Sequence, residues 1–185
     1  NSPVSDLNGN GILKGAPREV VEMVARAIDY NRQTSGAFDI TVQPLVDLYK
    51  NSFKAGHKPA DSEVELILQR VGAENLRLEG SNIRFMKNGM GITLDGIAKG
   101  YIVDRASELL TNQGIANHLI NGGGDIRTSG LAAKGQPWTV AIQDPAKQKQ
   151  YPALIKMTSG AIATSGTYEV FYDREQGFHH IVYGR

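Results

Sequence analysis

The sequence predicts an α+β fold in which helices flank a mostly antiparallel sheet. Apolar residues recur at helical spacing in the first part of the chain, whereas the second half holds short apolar runs separated by loops rich in Gly, Pro, Ser and Lys. No internal repeat and no long linker divides the sequence. We therefore expect a single domain over residues 1–185.

The composition is that of an ordinary globular protein. The chain has 185 residues, 41% of them hydrophobic, and 20 Lys and Arg against 19 Asp and Glu leave a net charge of +1. This near-neutral balance argues against a nucleic-acid binder that relies on counterion release. No apolar run approaches the roughly 20 residues that span a bilayer. Because cysteine is absent, disulfides, thiolate nucleophiles and cysteine-ligated metals are excluded.

Two helices are predicted in the first third of the chain. Apolar residues recur at helical spacing over residues 20–28, and Pro17 suits the first turn because it has no N–H to leave unbonded. A second, short helix is expected after Pro44, within residues 37–49. The segment 51–60 is polar and contains glycine and proline, so a loop is expected there.

A third helix and a hairpin are expected next. Ser62 and Glu65 form a capping-box pattern at the start of a helix, and Gly72 is expected to close it. Residues 76–86 are predicted to form a hairpin around a turn at 79–82, because apolar and polar residues alternate after the turn.

The second half is predicted to hold one helix among short strands. A strand at 92–94 is expected to run into a helix from about Ile97 to Gln113, which Gly114 ends. Further strands are predicted at residues 116–120, 138–142, 153–157, 161–164 and 168–172.

The junction between that strand and that helix is the first candidate site. A helix that starts at Asp95-Gly96 presents free backbone N–H groups, and with Lys99 one turn later it suits an anion such as a diphosphate. Asp95 and nearby carbonyls suit a divalent cation on the same phosphates. The alternative is that Asp95 only caps the helix and Lys99 only faces solvent. The G-x-x-x-x-G-K-[ST] phosphate loop is absent.

The segment Asn121-Gly122-Gly123-Gly124-Asp125, with a run of three glycines, is the second candidate. Successive glycines allow positive φ angles and close approach by a ligand, and they suit a tight turn between strands equally well. A dinucleotide fingerprint fits poorly, because Gly122 and Gly124 match its first two glycines but Arg127 stands at the third.

The segment 35–41 is the third candidate. Phe38 beside small residues is suited to border a flat aromatic ligand, with Asp39 accepting hydrogen bonds from it. Equally, Phe38 can be a core residue and Asp39 a cap for the segment at Thr41. From this segment alone, the cap is favoured.

The histidines do not predict a metal centre. His179 and His180 are neighbours, so on a strand they point to opposite faces and cannot share one site. One of the pair could still act as a general base. A serine hydrolase is not indicated either, because Thr164-Ser165-Gly166 lacks the G-x-S-x-G elbow.

Taken together, these segments resemble one family. In the family's order, from Ser2 to Val182, the matching segments are Gly36-Ala37-Phe38-Asp39-Ile40-Thr41-Val42 with Pro44-Leu45, Leu94 to Tyr101 with Asp104, Ile120-Asn121-Gly122-Gly123, Trp138 to Pro145, Ala163 to Tyr168, and His179-His180-Ile181. This set resembles the ApbE-type FAD:protein FMN transferases. The resemblance implies an ApbE-like (T-fold-like) domain.

The resemblance also implies a reaction, cofactors and a partner. Members of the family bind FAD and Mg²⁺ and transfer FMN from FAD to a threonine of an acceptor flavoprotein, with release of AMP. Cleaving a diphosphate needs a cation that neutralises charge and a positioned nucleophile. No nucleic-acid partner is expected. Association with a membrane is expected only through a lipid anchor outside this span. The resemblance implies a periplasmic or extracytoplasmic protein, often an inner-membrane lipoprotein.

Site residues follow from the same resemblance. The positions that match cofactor-binding positions of the family are Ala37, Phe38, Asp39, Thr93, Lys99 and Val182. Gly96 falls where the family gives a main-chain carbonyl to Mg²⁺, and Asp95 is a further candidate ligand. His180 matches the histidine proposed to deprotonate the acceptor threonine.

The sequence departs from the family pattern in two respects. At Thr93 many members have Asp, whereas here the carboxylate stands at Asp95. After Val182 the family continues to an Asp and a Thr that complete the metal site, so the remaining metal ligands are expected beyond this span. We expect this span to lack N-terminal and C-terminal segments of the family domain. The alternative function is an FAD-binding protein or an FAD pyrophosphatase without transferase activity.

Overall fold

The computed structural model describes residues 2–142, 144 and 151–164, together with the backbone of 171–173 and 178–179. The chain divides into two compact units: residues 1–97 with 170–185, and residues 98–169. Each unit combines helix or 3₁₀ turns with antiparallel strands. The predicted α+β class is confirmed.

The described residues form five α-helices and ten strands. The helices are α1 (Pro3–Asn10), α2 (Arg18–Gln33), α3 (Gln43–Lys54), α4 (Asp61–Leu68) and α5 (Ala98–Asn112). The strands are β1 (Ile12–Leu13), β2 (Leu76–Glu79), β3 (Asn82–Phe85), β4 (His118–Asn121), β5 (Ile126–Ser129), β6 (Trp138–Ile142), β7 (Ala153–Met157), β8 (Gly160–Ile162), β9 (Phe171–Asp173) and β10 (Phe178–His179). Among these helices, none is long and apolar enough to cross a membrane.

The first unit is built on a small antiparallel sheet in the order β1-β3-β2, and its β9 and β10 form a separate antiparallel pair. Strands β2 and β3 are joined by the two-residue turn Gly80-Ser81, with Glu79 opposite Asn82. Such a turn matches the twist of the flanking strands, and Gly80 supplies the positive φ, at 60°. The predicted hairpin is confirmed.

A hydrophobic core joins α1, α2 and this sheet. Helix α2 buries Val20, Val24 and Ala27, as their helical spacing predicts. The buried members of the core are Leu7, Ala16, Val20, Val24, Ala27, Ile40, Leu76, Ile83 and Ile92. Burial of a large aliphatic side chain stabilises a fold by about 1.5–3 kcal/mol. This core therefore fixes the segments around Ile40 and Ile92, which carry candidate site residues.

The second unit packs α5 against β4 and β5. The Ser107 hydroxyl lies 2.7 Å from Nε2 of His118, and Nδ1 of His118 lies 2.9 Å from the carbonyl oxygen of Ile115. Because a carbonyl can only accept, Nδ1 carries the proton and the Ser107 hydroxyl donates to Nε2. Both side chains are buried, so this bond ties α5 to β4.

The strands of the second unit form two antiparallel groups, β4-β5-β8 and β6-β7. Strands β6 and β7 have the predicted bounds, α5 lies within a residue of the predicted helix, and β4 and β8 are shifted slightly. Strand β5 was not predicted. Of the strand predicted at 168–172, the first three residues lie outside the described residues, and β9 begins at Phe171.

Two helix boundaries in the first unit differ from the predicted ones. Helix α3 continues to Lys54, so the loop predicted at 51–60 starts later. Helix α4 ends at Leu68 rather than at Gly72, which instead adopts a φ of 142°. The loop starts later because polar residues are compatible with a helix, and Gly72 does not close α4 because its N–H donates to Oγ1 of Thr41 at 2.7 Å.

The predicted capping box is also wrong. Helix α4 begins at Asp61, and Oε2 of Glu63 accepts a hydrogen bond of 2.8 Å from the backbone N–H of Ala60. The carboxylate that reaches back over the first turn is therefore that of Glu63, not Glu65. Ser62 lies inside the helix rather than before it.

Residues 92–94 do not form the predicted strand. The Asn8 side chain accepts from the Ile92 N–H at 2.8 Å and donates to the Ile92 carbonyl at 2.9 Å, and the Thr93 N–H donates to the Ile40 carbonyl at 2.8 Å. These bonds occupy the backbone groups that a partner strand would pair with. The strand prediction is therefore wrong, although the segment is held firmly.

Candidate functional site

The segment after α2 is fixed by hydrogen bonds to that helix. The Gly36 N–H donates to the Asn31 carbonyl at 2.7 Å, and the Phe38 N–H donates to Oγ1 of Thr34 at 3.0 Å. Nδ2 of Asn31 donates to the Phe38 carbonyl at 2.8 Å. Gly36 has a φ of 84°, a conformation that glycine adopts at little cost. Phe38 is therefore placed by the end of α2, next to the exposed Ala37.

Asp39 caps the turn that follows. Its Oδ1 accepts from the N–H of Thr41 at 2.7 Å and from the hydroxyl of Thr41 at 2.6 Å, and its Oδ2 accepts from the N–H of Ala73 at 3.1 Å. The Thr41 oxygen in turn accepts from the Gly72 N–H at 2.7 Å. The cap at Asp39 is confirmed. Since a carboxylate has about four acceptor positions, Oδ2 keeps capacity for a further donor.

Two predicted segments meet in the first unit. A Cβ built on Gly96 would lie 3.1 Å from Cε2 of Phe38, so the ring lies directly against the turn at 94–97. The ring also meets Tyr30 edge-on, with centroids 6.0 Å apart at 87°. The hydrogen bond from Thr93 to Ile40 joins the same two segments. Phe38 also packs, partly buried, against the hydrophobic core, so the core interpretation is confirmed, and its ring, Thr93 and Gly96 lie together in one local cluster.

Asp95 presents its carboxylate to solvent at this turn. Its backbone N–H donates to Oγ1 of Thr93 at 3.2 Å, and its side chain makes no hydrogen bond or ion pair with the described residues of its unit. Helix α5 begins at Ala98, so Asp95 is not the residue that caps it. The carboxylate is thus available to a ligand.

The magnesium ion implied by the resemblance can be tested against these donors. Mg²⁺ usually keeps several waters and is held by one or two carboxylates together with substrate phosphates. Asp95 with the neighbouring Gly96 carbonyl fits that mode. Within the described residues, no group of three or more His, Asp or Glu is arranged to hold a metal. Asp95 and the Gly96 carbonyl are therefore suited to supply part of a magnesium site.

In the second unit, Lys99 contacts the glycine run. Its Nζ donates to the Gly123 carbonyl at 3.2 Å and lies 3.4 Å from Oδ1 of Asp125. Lys99 is an exposed helix residue, as the alternative expected, and it also contacts the glycine run. Two motifs that the sequence presents separately, the start of α5 and the glycine run, form one feature.

The glycine run is a tight turn between β4 and β5 that also packs closely on α5. The Gly122 N–H donates to the Asp125 carbonyl at 2.8 Å, and the Gly124 N–H donates to Oδ1 of Asn121 at 2.9 Å. A Cβ on Gly122 would lie 2.7 Å from Cγ1 of Val103. The tight-turn interpretation is confirmed, and Gly122 is needed for contact with the helix.

Two of the predicted site positions lie outside the described residues, and two residues that matter in the structure were not predicted. His180 and Val182 are not among the described residues, so their roles stay predictions. Sequence reasoning missed Asn8, which holds Ile92, and gave no role to Asp125. The available signal for Asp125 was its charge, opposite to that of Lys99, directly after the glycine run.

Comparison with known proteins gives one family. The ApbE family model matches residues 1–185. The chain is 35% identical over 160 residues to the FAD:protein FMN transferase of Vibrio cholerae, a match that covers 85% of this chain and 48% of that protein. It is 29% identical over 161 residues to the Salmonella typhimurium protein of the same name, covering 83% and 46%. The chain thus spans about half the length of these curated relatives.

Solved structures agree with this match. The ApbE protein of Thermotoga maritima is similar with a TM-score of 0.87 and 31% identity, over 99% of this chain and 61% of that one. The flavin transferase ApbE of Vibrio cholerae is similar with a TM-score of 0.81 and 31% identity, over 99% and 60%. The predicted ApbE-like fold is confirmed. Because the family model covers every residue and the fold agrees, the chain belongs to the ApbE family.

Proposed function

We propose that the protein transfers FMN from FAD to a threonine of an acceptor flavoprotein and releases AMP. The observation that carries the proposal is the meeting of two segments in the first unit, where Thr93 bonds to Ile40 and Phe38 lies against Gly96. Both segments match FAD-contacting positions of the family. The curated relatives named FAD:protein FMN transferase support the same reaction.

The proposed step is a phosphoryl-type transfer. The hydroxyl oxygen of the acceptor threonine attacks the phosphorus of the FMN half of FAD. The bond from that phosphorus to the bridging oxygen breaks as the new P–O bond forms, and AMP leaves with the bridging oxygen. The hydroxyl proton passes to a general base, for which we propose His180.

Four candidate residues that the structure describes have roles in this proposal. Phe38 offers an aromatic face to a flat ring, and Lys99 offers a positive charge to phosphate oxygens. Asp95 and the Gly96 carbonyl would hold magnesium. Bound magnesium supplies neutralisation of charge on the diphosphate.

We also propose that the protein works outside the cytoplasm. The support is the resemblance to family members that are exported, often as lipoproteins. Cell fractionation of the native producer tests this: the protein should separate with periplasmic or membrane markers, and recovery with cytoplasmic markers would contradict the proposal.

Intact-mass measurement tests the reaction. Purified full-length protein is mixed with FAD, magnesium and an acceptor that carries a threonine flavinylation sequence. We expect an FMN adduct on the acceptor and AMP in equal amount, no adduct when the acceptor threonine is replaced by alanine, and no adduct with EDTA. An unmodified acceptor would refute the transferase proposal. If FMN and AMP then appear without an adduct, FAD pyrophosphatase activity replaces it.

A further inference from the structure

The Lys99 ammonium is held by two acceptors of the second unit. Its Nζ lies 3.2 Å from the Gly123 carbonyl oxygen and 3.4 Å from Oδ1 of Asp125. The Lys99 side chain is 55% exposed and that of Asp125 is 17% exposed, so the cation lies on the solvent side of the pair. The hydrogen bond to Gly123 uses one of the three ammonium donors, and with Asp125 paired as an ion at 3.4 Å a donor remains for a ligand.

The carboxylate of Asp125 stands on a firmly held part of the chain. The Gly122 N–H donates to the Asp125 carbonyl at 2.8 Å, which closes the turn. Asp125 directly precedes β5, which is paired on both sides, by β4 and β8. The lysine stem, in contrast, has four carbons and several rotatable bonds. Of the two partners, Asp125 is therefore the fixed one and Lys99 the one that gains order.

We propose that Asp125 is a positioning residue for FAD binding: it holds Lys99 so that the remaining ammonium donor meets the phosphate oxygens of FAD. This rests on the proposed function, because it takes the FAD diphosphate as the ligand of Lys99. A lysine that is ordered before the ligand arrives loses less conformational entropy on binding. Asp125 itself touches no substrate and acts through Lys99.

The proposal predicts the direction in which Asp125→Asn changes the affinity for FAD, and an effect of charge alone would have the opposite direction. Asp125 is negative, so the neutral variant Asp125→Asn would bind an anionic ligand more tightly if long-range attraction dominated. If positioning dominates, Asp125→Asn weakens FAD binding, because the charge-assisted contact that orders Lys99 becomes an ordinary hydrogen bond.

Flavin fluorescence titration of the full-length protein tests this direction. We expect Asp125→Asn to raise the Kd for FAD by about 3- to 10-fold, in keeping with the weaker contact to Lys99. The double variant with Lys99→Met should bind FAD no more weakly than Lys99→Met alone. Riboflavin, which has no phosphate, should bind equally to all. Glu108→Gln is the matched control, because it removes the same charge from an exposed pair with Arg105 at 3.0 Å on α5.

The outcomes separate this proposal from the proposed function. If the wild type binds FAD and Asp125→Asn binds it equally well or more tightly, the positioning role is overturned and the function stands. An additive effect in the double variant overturns it as well. A parallel loss of riboflavin affinity in Asp125→Asn would assign a general structural role instead. If the wild type binds no FAD, both proposals are overturned.

Discussion

Replacing Gly122 with alanine tests the close contact between the glycine run and α5. The added Cβ would lie 2.7 Å from Cγ1 of Val103, whereas carbon atoms pack best at about 3.5–4.0 Å. Val103 is only 5% exposed, so its methyl group has little free space to move into. Overpacking of this kind costs about 1–3 kcal/mol. We expect Gly122→Ala to lower the free energy of unfolding by that amount.

Urea unfolding of the full-length protein, followed by circular dichroism, measures this change. Gly100→Ala is the matched control, because Gly100 lies inside α5 and a Cβ added there would meet no atom of a neighbouring element within 4 Å among the residues that the structure describes. Alanine is the better helix former, so the control should raise stability by about 0.5–1 kcal/mol. Wild-type stability of Gly122→Ala, with the control behaving as expected, would refute the argument that the turn is packed against the helix.

Three further substitutions test other contacts. Asp39→Ala removes an acceptor of three hydrogen bonds and should lower unfolding free energy by about 1–3 kcal/mol in urea titrations; an unchanged midpoint would contradict the cap. Gly96→Val should raise the Kd for FAD about tenfold in a fluorescence titration, because the added side chain overlaps the Phe38 ring, at a cost of about 1–3 kcal/mol, and displaces it. An unaltered affinity would show that the Phe38 ring is not part of the FAD site. Ser107→Ala leaves buried Nε2 of His118 without its donor and should cost about 1–3 kcal/mol of stability, whereas a neutral result would mean that the bond does not tie α5 to β4.

Elements with a strong local pattern were predictable from the sequence. Helix α2 carries a regular apolar face, and the hairpin of β2 and β3 has a short turn between alternating residues. Helix α1 was missed because only Leu7 is buried in it, so no apolar stripe marks it. Its real signal is at its start, where Oγ of Ser2 accepts from the Ser5 N–H at 3.1 Å just before Pro3 enters the helix.

The candidate site was predictable only where its contacts are local. The cap at Asp39 reaches Thr41, two residues along the chain, so residue types and spacing suffice to expect it. The pair of Lys99 and Asp125 depends on how the turn between β4 and β5 packs on α5. Strand β5 was missed because Ile126–Ser129 contains one aliphatic residue among polar ones. Since β5 was not predicted, there was no reason in the sequence to expect Asp125 close to α5.

The central claim is that the FMN half of FAD, with its own phosphate, moves to the acceptor. FAD carrying an isotopic label in the FMN phosphate, and separately in the AMP phosphate, distinguishes the two halves when acceptor and nucleotide are analysed by mass spectrometry. We expect the first label on the acceptor threonine and the second in free AMP. Finding the AMP-phosphate label on the acceptor, or neither label there, would contradict the account.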